Sequence, residues 1–269
     1  MSHSDTFVRR RNHFIAVFLA GALIGALGGL IGLGGAEFRL PLLIGLFGFV
    51  ALEAVIINKA TSLIVVASAL LFRTRAVPID EVLRHWPIVA NLLAGSLAGA
   101  WVGAGAATRL KGQALYRVIA ALLVLIAFVL LLAHEPAGQE PWLSGSPLLA
   151  AGIVAGFVIG VVASLLGVAG GELLIPTLML LFGVGVKLAG SLSLAVSLPT
   201  MIAGFVRYSR DSSFAVLARH QRFVLVMAVG SIAGAYVGGL LLGVIPSTVL
   251  LPSLAAILLL SASKVWRHP

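Results

Sequence analysis

The strongest constraint on this chain is a series of apolar runs, each long enough to cross a bilayer, with little polar sequence between them. A helix needs about 20 residues at roughly 1.5 Å each to span the hydrocarbon. Runs at about 14–33, 54–72, 86–108 and 114–133 meet that length, as do runs at about 147–168, 189–206, 222–243 and 248–265. In lipid every backbone N–H and C=O must pair internally, so such runs form helices unless strands close into a barrel. Barrel strands alternate polar and apolar positions, and that alternation is missing. With 60% hydrophobic and 10% charged residues, no segment is polar enough to be a soluble head. The expected fold is all-α, a polytopic bundle of membrane helices.

The formal net charge of +9 could suggest a nucleic-acid binder. The basic residues, however, sit in short loops and near the ends, which is the usual orientation signal of a membrane protein, so no nucleic-acid partner is expected. Arg9, Arg10 and Arg11 before an apolar stretch with Ala20 and Ala22 resemble a secretory signal. Cleavage is not expected, because the stretch runs on to about residue 33 and its distal part recurs later in the chain. With no cysteine and no H-x-x-x-H pair among six histidines, neither a metal nor another cofactor is expected.

The recurrence is a full internal repeat. Gly32-Leu33-Gly34-Gly35-Ala36-Glu37 followed by Pro41 matches Gly167-Val168-Ala169-Gly170-Gly171-Glu172 followed by Pro176, and Glu172 lies 135 positions after Glu37. The same offset aligns Phe47-Gly48 with Phe182-Gly183, Ser62-Leu63 with Ser197-Leu198, and Arg84-His85 with Arg219-His220. It also aligns Gly95-Ser96 and Gly99-Ala100 with Gly230-Ser231 and Gly234-Ala235. The chain therefore divides into a cytoplasmic N-terminal segment 1–13, a first repeat 14–133, a polar linker 134–146 and a second repeat 147–269. Two related membrane halves are typical of secondary transporters, whose substrate site lies between them.

Each half carries an extra run, about 38–51 and 173–186, too short to span unaided and entered through the Gly-Gly-x-Glu segment. These read as broken or re-entrant helices. Arg109, Lys111 and Arg117 make one loop of the first half basic, whereas in the second half Arg207, Arg210, Arg219 and Arg222 crowd the preceding loop instead. That flip favours five plus five spans in inverted repeats, with both termini and the loops near 109–117 and 207–222 in the cytoplasm. Arg73, Arg75 and Arg84 violate the pattern and keep a parallel four-plus-four arrangement open.

The candidate chemistry lies at the doubled turn. Glycines before a short helix leave backbone N–H groups free, and the helix dipole adds positive potential, so Gly34, Gly35, Gly170 and Gly171 could bind an anion. Pro41 and Pro176 fit the first turn of the short helix. Glu37 and Glu172 are acids at apolar depth, either capping their own helices or acting at the site. Asn58 and Ser62, with their equivalents Ser193 and Ser197, form a polar stripe that bonds between helices or lines the site. Lys59 either snorkels to a surface or supplies a cation to an anion site. The Arg-His pairs are juxtamembrane charges or an anion gate. Arg39 and Lys59 occur only in the first half, so Glu172 rather than Glu37 is the expected proton carrier.

These residues resemble a known family. The doubled turn Gly32 to Pro41 and Gly167 to Pro176, with the Ser62-Leu63 and Ser197-Leu198 segments, is similar to the sulfite exporter TauE/SafE-like permeases, also called TSUP, from about Phe14 to Trp266. The resemblance implies a multi-pass cytoplasmic (inner) membrane transporter of small sulfur-containing or organic anions such as sulfite, sulfoacetate or other sulfonates. The family turn is usually Gly-Gly-Gly followed by an apolar residue, where this chain has Ala36-Glu37 and Gly171-Glu172. The expected partners are a small anion and the lipid bilayer, with the oligomeric state open and a homodimer included. The rival classes are a passive anion channel and an intramembrane enzyme using the Glu pair.

Overall fold

A computed structural model describes residues 3–31, 35–73, 78–110, 112–132, 143–240 and 247–267. They are all-helical. The first half contains α1 (His3–Ile31), α2 (Ala36–Gly45), α3 (Ala51–Arg73), α4 (Ile79–Arg84), α5 (Trp86–Arg109) and α6 (Gly112–Leu132). The second contains α7 (Ser146–Leu166), α8 (Gly171–Phe182), α9 (Val186–Tyr208), α10 (Ala215–Arg219), α11 (Gln221–Leu240) and α12 (Ser247–Trp266). Displaced by 135 residues, the six helices of one half fall on the six of the other, as the repeat predicts.

Among the described residues six helices are long and apolar enough to cross a membrane: Ala51–Leu70, Trp86–Arg109, Gly112–Val129, Ser146–Leu166, Lys187–Tyr208 and Gln221–Gly238. They correspond to six of the eight predicted runs. In the first and last runs the described apolar helices are shorter, Phe14–Gly28 and Ala255–Trp266. Most of the linker 134–146 lies outside the described residues.

The halves are not two separate bodies. α1 packs along α11, and its equivalent α7 packs along α5, so each half lends its first helix to the other. Glycine makes both contacts possible. A Cβ on Gly25 would lie 2.1 Å from Ser231 O and one on Gly234 1.9 Å from Ala22 O; the matching values are 1.9 Å for Gly95 against Ile153 O and 2.1 Å for Gly99 against Phe157 O. Helix association in lipid rests on close packing, and small residues let backbones approach this far. Numbering rises together across both seams, so α1 runs parallel to α11 and α5 parallel to α7.

α5 also runs in the same direction as α9, because Ser96 meets Thr200 at 2.7 Å and Gly105 faces Arg207. The symmetric pair α3 and α11 does likewise, with Phe49 against Phe223 near their starts and Arg39 bridging Ser62 and Ser231 near their middles. α6 and α12 complete the bundle, with Arg117 over the Trp266 ring at 5.9 Å. These contacts gather Arg109, Arg117, Arg207, Arg210, Arg219, Arg222 and Lys264 at one end of the bundle. Asp80, Glu81, Arg84 and Lys187 lie at the other.

Candidate functional site

The two short helices begin where the sequence places glycine. Gly35 and Gly170 are left-handed at φ 69° and 80°, and each supplies the carbonyl that opens the next helix: Gly35 O accepts from Phe38 and Arg39, Gly170 O from Leu173 and Leu174. A residue with a Cβ disfavours that conformation. Pro41 and Pro176 lie inside α2 and α8, not in the first turn. The physical reason is that each helix starts directly after its glycine, two residues ahead of the predicted short run. At that position each proline removes the N–H that would pair with the carbonyl of Glu37 or Glu172.

Both turns are held at the middle of the spans. Asn58, two turns into α3, donates to Ala36 O and to Leu166 O, each at 3.0 Å, so it joins the start of α2 to the end of α7. Ser197, at the centre of α9, donates to Ala169 O at 2.8 Å. The stripe predicted from sequence therefore bonds between elements at Asn58, Ser62 and Ser197, while Ser193 donates to Gly190 O in its own helix. Gly34 lies outside the described residues, and Gly171 opens α8 as a buried residue.

Glu37 and Glu172 come together. Each is at most 2% exposed, and their carboxyl groups lie close enough to interact directly although they belong to different repeats. No side chain outside the pair donates to any of their four oxygens. A buried charge left without a partner is costly.

Beside them is Arg39, fully buried, whose importance the sequence reading missed. Its Nη1 donates to Asn58 Oδ1 at 3.2 Å and Ser62 Oγ at 2.9 Å, and its Nη2 to Ser231 Oγ at 3.3 Å. Its Nε has no partner. The available signal was an arginine inside an apolar run too short to let it reach a surface, two residues after a repeated Glu. The equivalent position in the second half is Leu174.

Lys59 corrects an expectation. It does not snorkel but is fully buried, donating to Ala163 O at 3.4 Å and Ser164 Oγ at 3.3 Å at the end of α7. The reason is its place two turns into α3, where the turn after α7 covers it: a Cβ on Gly167 would lie 2.3 Å from Val55 O. The Tyr208 hydroxyl donates to Ser164 O at 2.8 Å and fixes the same corner.

The Arg-His pairs fall at opposite ends of the bundle. Arg219 bonds Glu53 at 2.9 Å, an exposed ion pair worth about 1 kcal/mol or less. His220 meets the Phe49 ring edge-on at 5.1 Å, and both line a cleft of about 330 Å³ with Phe47, Glu53 and Phe223. His85 Nδ1 lies 2.9 Å from Glu81 O. Among the described residues no three His, Cys, Asp or Glu side chains gather as a metal site.

The arrangement is a buried cluster of two acids and one guanidinium, supplied by both repeats and tied to the bundle by amide and hydroxyl groups, with Lys59 held apart from it at the end of α7. It can hold an anion against Arg39 and a proton on a carboxyl. The profile of the family described as "Sulfite exporter TauE/SafE" matches residues 17–267. No curated protein and no solved structure gives a match.

Proposed function

Since the chain belongs to the sulfite exporter TauE/SafE family, a family of membrane transporters, we propose that it is a proton-coupled secondary transporter of sulfite, sulfoacetate or related sulfonates. The observation that carries the reading is the meeting of Glu37 and Glu172, from equivalent turns of the two repeats, beside the buried guanidinium of Arg39. A small anion has its counter-charge at Arg39, with Lys59 as a second cation one helix turn from the same tethers. Ser62, Ser193 and Ser197, the glycines of both turns and Asn58 shape the site around it. Two carboxylates at apolar depth repel, and one proton between them removes that repulsion, so proton and anion can enter together. The same carboxyl pair would suit an intramembrane acid–base enzyme, but membership of a transporter family favours transport.

The halves are proposed as inverted repeats with helices broken at the Gly-rich turns. Consecutive spanning helices α3 and α5 run oppositely, and α9 runs with α5. α9 therefore opposes α3, its own counterpart, which supports a two-fold axis lying in the membrane plane. The crowding of arginine at one end of the bundle supports its assignment to the cytoplasm of a cell's inner membrane. A reporter fused after residue 112 is accordingly expected to read cytoplasmic and one after residue 140 external. The reverse pair of readings would defeat the inverted arrangement.

The functional reading is tested by uptake into proteoliposomes with sulfite, sulfoacetate, sulfate and small carboxylates. The expected flux is saturable, selective for sulfite or a sulfonate and accelerated by a pH gradient. Glu172→Gln should flatten the dependence of flux on pH, and Glu37→Gln, whose site keeps Arg39 as neighbour, should retain it. Flux that neither saturates nor follows a gradient would make the protein a channel, and absence of any anion flux would defeat the reading.

A further inference from the structure

The arginine-rich end of the bundle carries a second feature, remote from the carboxyl pair. A cleft of about 490 Å³ lies between the last turns of α5 and α9, lined by Trp101, Gly105, Arg109, Leu110 and Arg207 among others. Its position is that of an interfacial site: one wall is the helix ends, and the α5 flank below is apolar and exposed, with Leu97 39%, Trp101 38% and Val102 52% accessible. A membrane would cover that flank with acyl chains.

The charge at the rim is held in place and left unneutralised. Arg207 and Arg210 lie over the Trp101 ring, at 5.8 and 4.9 Å from its centroid. Stacking on an indole fixes a guanidinium while leaving its N–H donors free to bond an oxyanion. Arg109 joins them at the rim, and no described carboxylate pairs with any of the three. The nearest acid in sequence, Asp211, instead accepts from Ser213 N. Gly105 keeps the floor open, since a Cβ there would lie 3.3 Å from the Arg207 guanidinium.

We propose that this cleft binds the phosphodiester headgroup of an anionic phospholipid, with Arg207, Arg210 and Arg109 around the phosphate and the acyl chains along Leu97 and Val102. Charge complementarity and the continuity of the cleft with the apolar flank select a lipid over a soluble anion. Basic pockets between helices at the cytoplasmic surface bind such headgroups by the same physics.

The test uses the full-length protein in a zwitterionic detergent-compatible bilayer mimic, with phosphatidylglycerol, phosphatidylcholine or free glycerol phosphate added. Native mass spectrometry reads lipid retention and thermal unfolding reads stability. Wild type should retain phosphatidylglycerol through delipidation and unfold at higher temperature with it, but not with phosphatidylcholine or glycerol phosphate. Arg207→Gln/Arg210→Gln should weaken retention about 30-fold, from roughly 1 kcal/mol per arginine. Arg219→Gln, at the same end but outside the cleft, should leave retention unchanged and so excludes a general effect of surface charge. If the double variant does not fold, Arg109→Gln should show the same loss in smaller measure. Equal response to phosphatidylcholine, a full response to glycerol phosphate, or undiminished retention in the folded cleft variants would overturn the proposal. So would a double variant that loses self-association while keeping its lipid, because the cleft would then be a subunit contact.

Discussion

Sulfite flux through Arg39→Gln should fall about 100-fold, the equivalent of one charge-assisted hydrogen bond of about 3 kcal/mol lost from a water-poor site. Arg39 is the only described guanidinium at the middle of the bundle, and its Nε–H and one Nη2 N–H are left without a protein partner. Arg39→Lys keeps the charge but not the planar fork, so it should recover part of the flux with a weaker apparent affinity. Ser231→Ala removes one tether of the guanidinium without touching its charge and should change flux by no more than a few fold. Measurement of KM and maximal flux in proteoliposomes, with the unfolding temperature as a check on folding, separates these outcomes. Wild-type KM in a folded Arg39→Gln protein would remove Arg39 from the anion site.

The second large effect concerns assembly. Gly99→Leu or Gly234→Leu should leave each span hydrophobic enough to insert, yet abolish the cooperative unfolding transition. A Cβ at these positions would stand 2.1 and 1.9 Å from backbone carbonyl oxygens that belong to parallel neighbouring helices and cannot give way singly. Overpacking of ordinary cores costs about 1–3 kcal/mol, and a clash with two rigid backbones exceeds that range. Gly112→Ala, where nothing lies within 4 Å, is the neutral control. The functional turns should respond unequally to alanine. Gly35→Ala meets Ile24 O at 2.4 Å, whereas Gly170→Ala meets only side-chain carbons at 3.2 Å, so the second should keep more folded protein. Circular dichroism during heating, with membrane fractionation to score insertion, reads all five variants.

These variants also mark how far the sequence could be read. Helix class and repeat were legible because apolar run length and a constant offset are properties of the string itself. Glu37 and Glu172 were legible as acids at apolar depth. Their meeting was not, because it depends on how the two halves turn toward each other. Lys59 stayed open between two readings for a related reason: a lysine snorkels only if nothing lies over it, and what lies over it is the end of α7, more than a hundred residues away. Arg39 entered only as a charge bearing on Glu37 and not as a site residue, because a single arginine without a repeated counterpart carries no symmetry signal. The prolines were placed one turn early because the apolar run begins at Phe38, whereas hydrogen bonding begins with the carbonyl of Gly35.

The exchange of first helices between the halves has a consequence for synthesis. α1 emerges from the ribosome first, but the surface that receives Gly21 and Gly25 is Met227 and Ser231, roughly 200 residues behind. At about 5–20 residues per second, α1 waits on the order of 10 to 40 s in the membrane with its glycine face uncovered. Its natural partner is α11, so the nascent bundle stays open until α11 has been made. α5 and α7, by contrast, are separated by α6 alone and can close as soon as α7 is made. The order of birth thus makes α5–α7 the nucleus and α1–α11 the final clasp, and places the demand for a membrane chaperone on the amino-terminal helix.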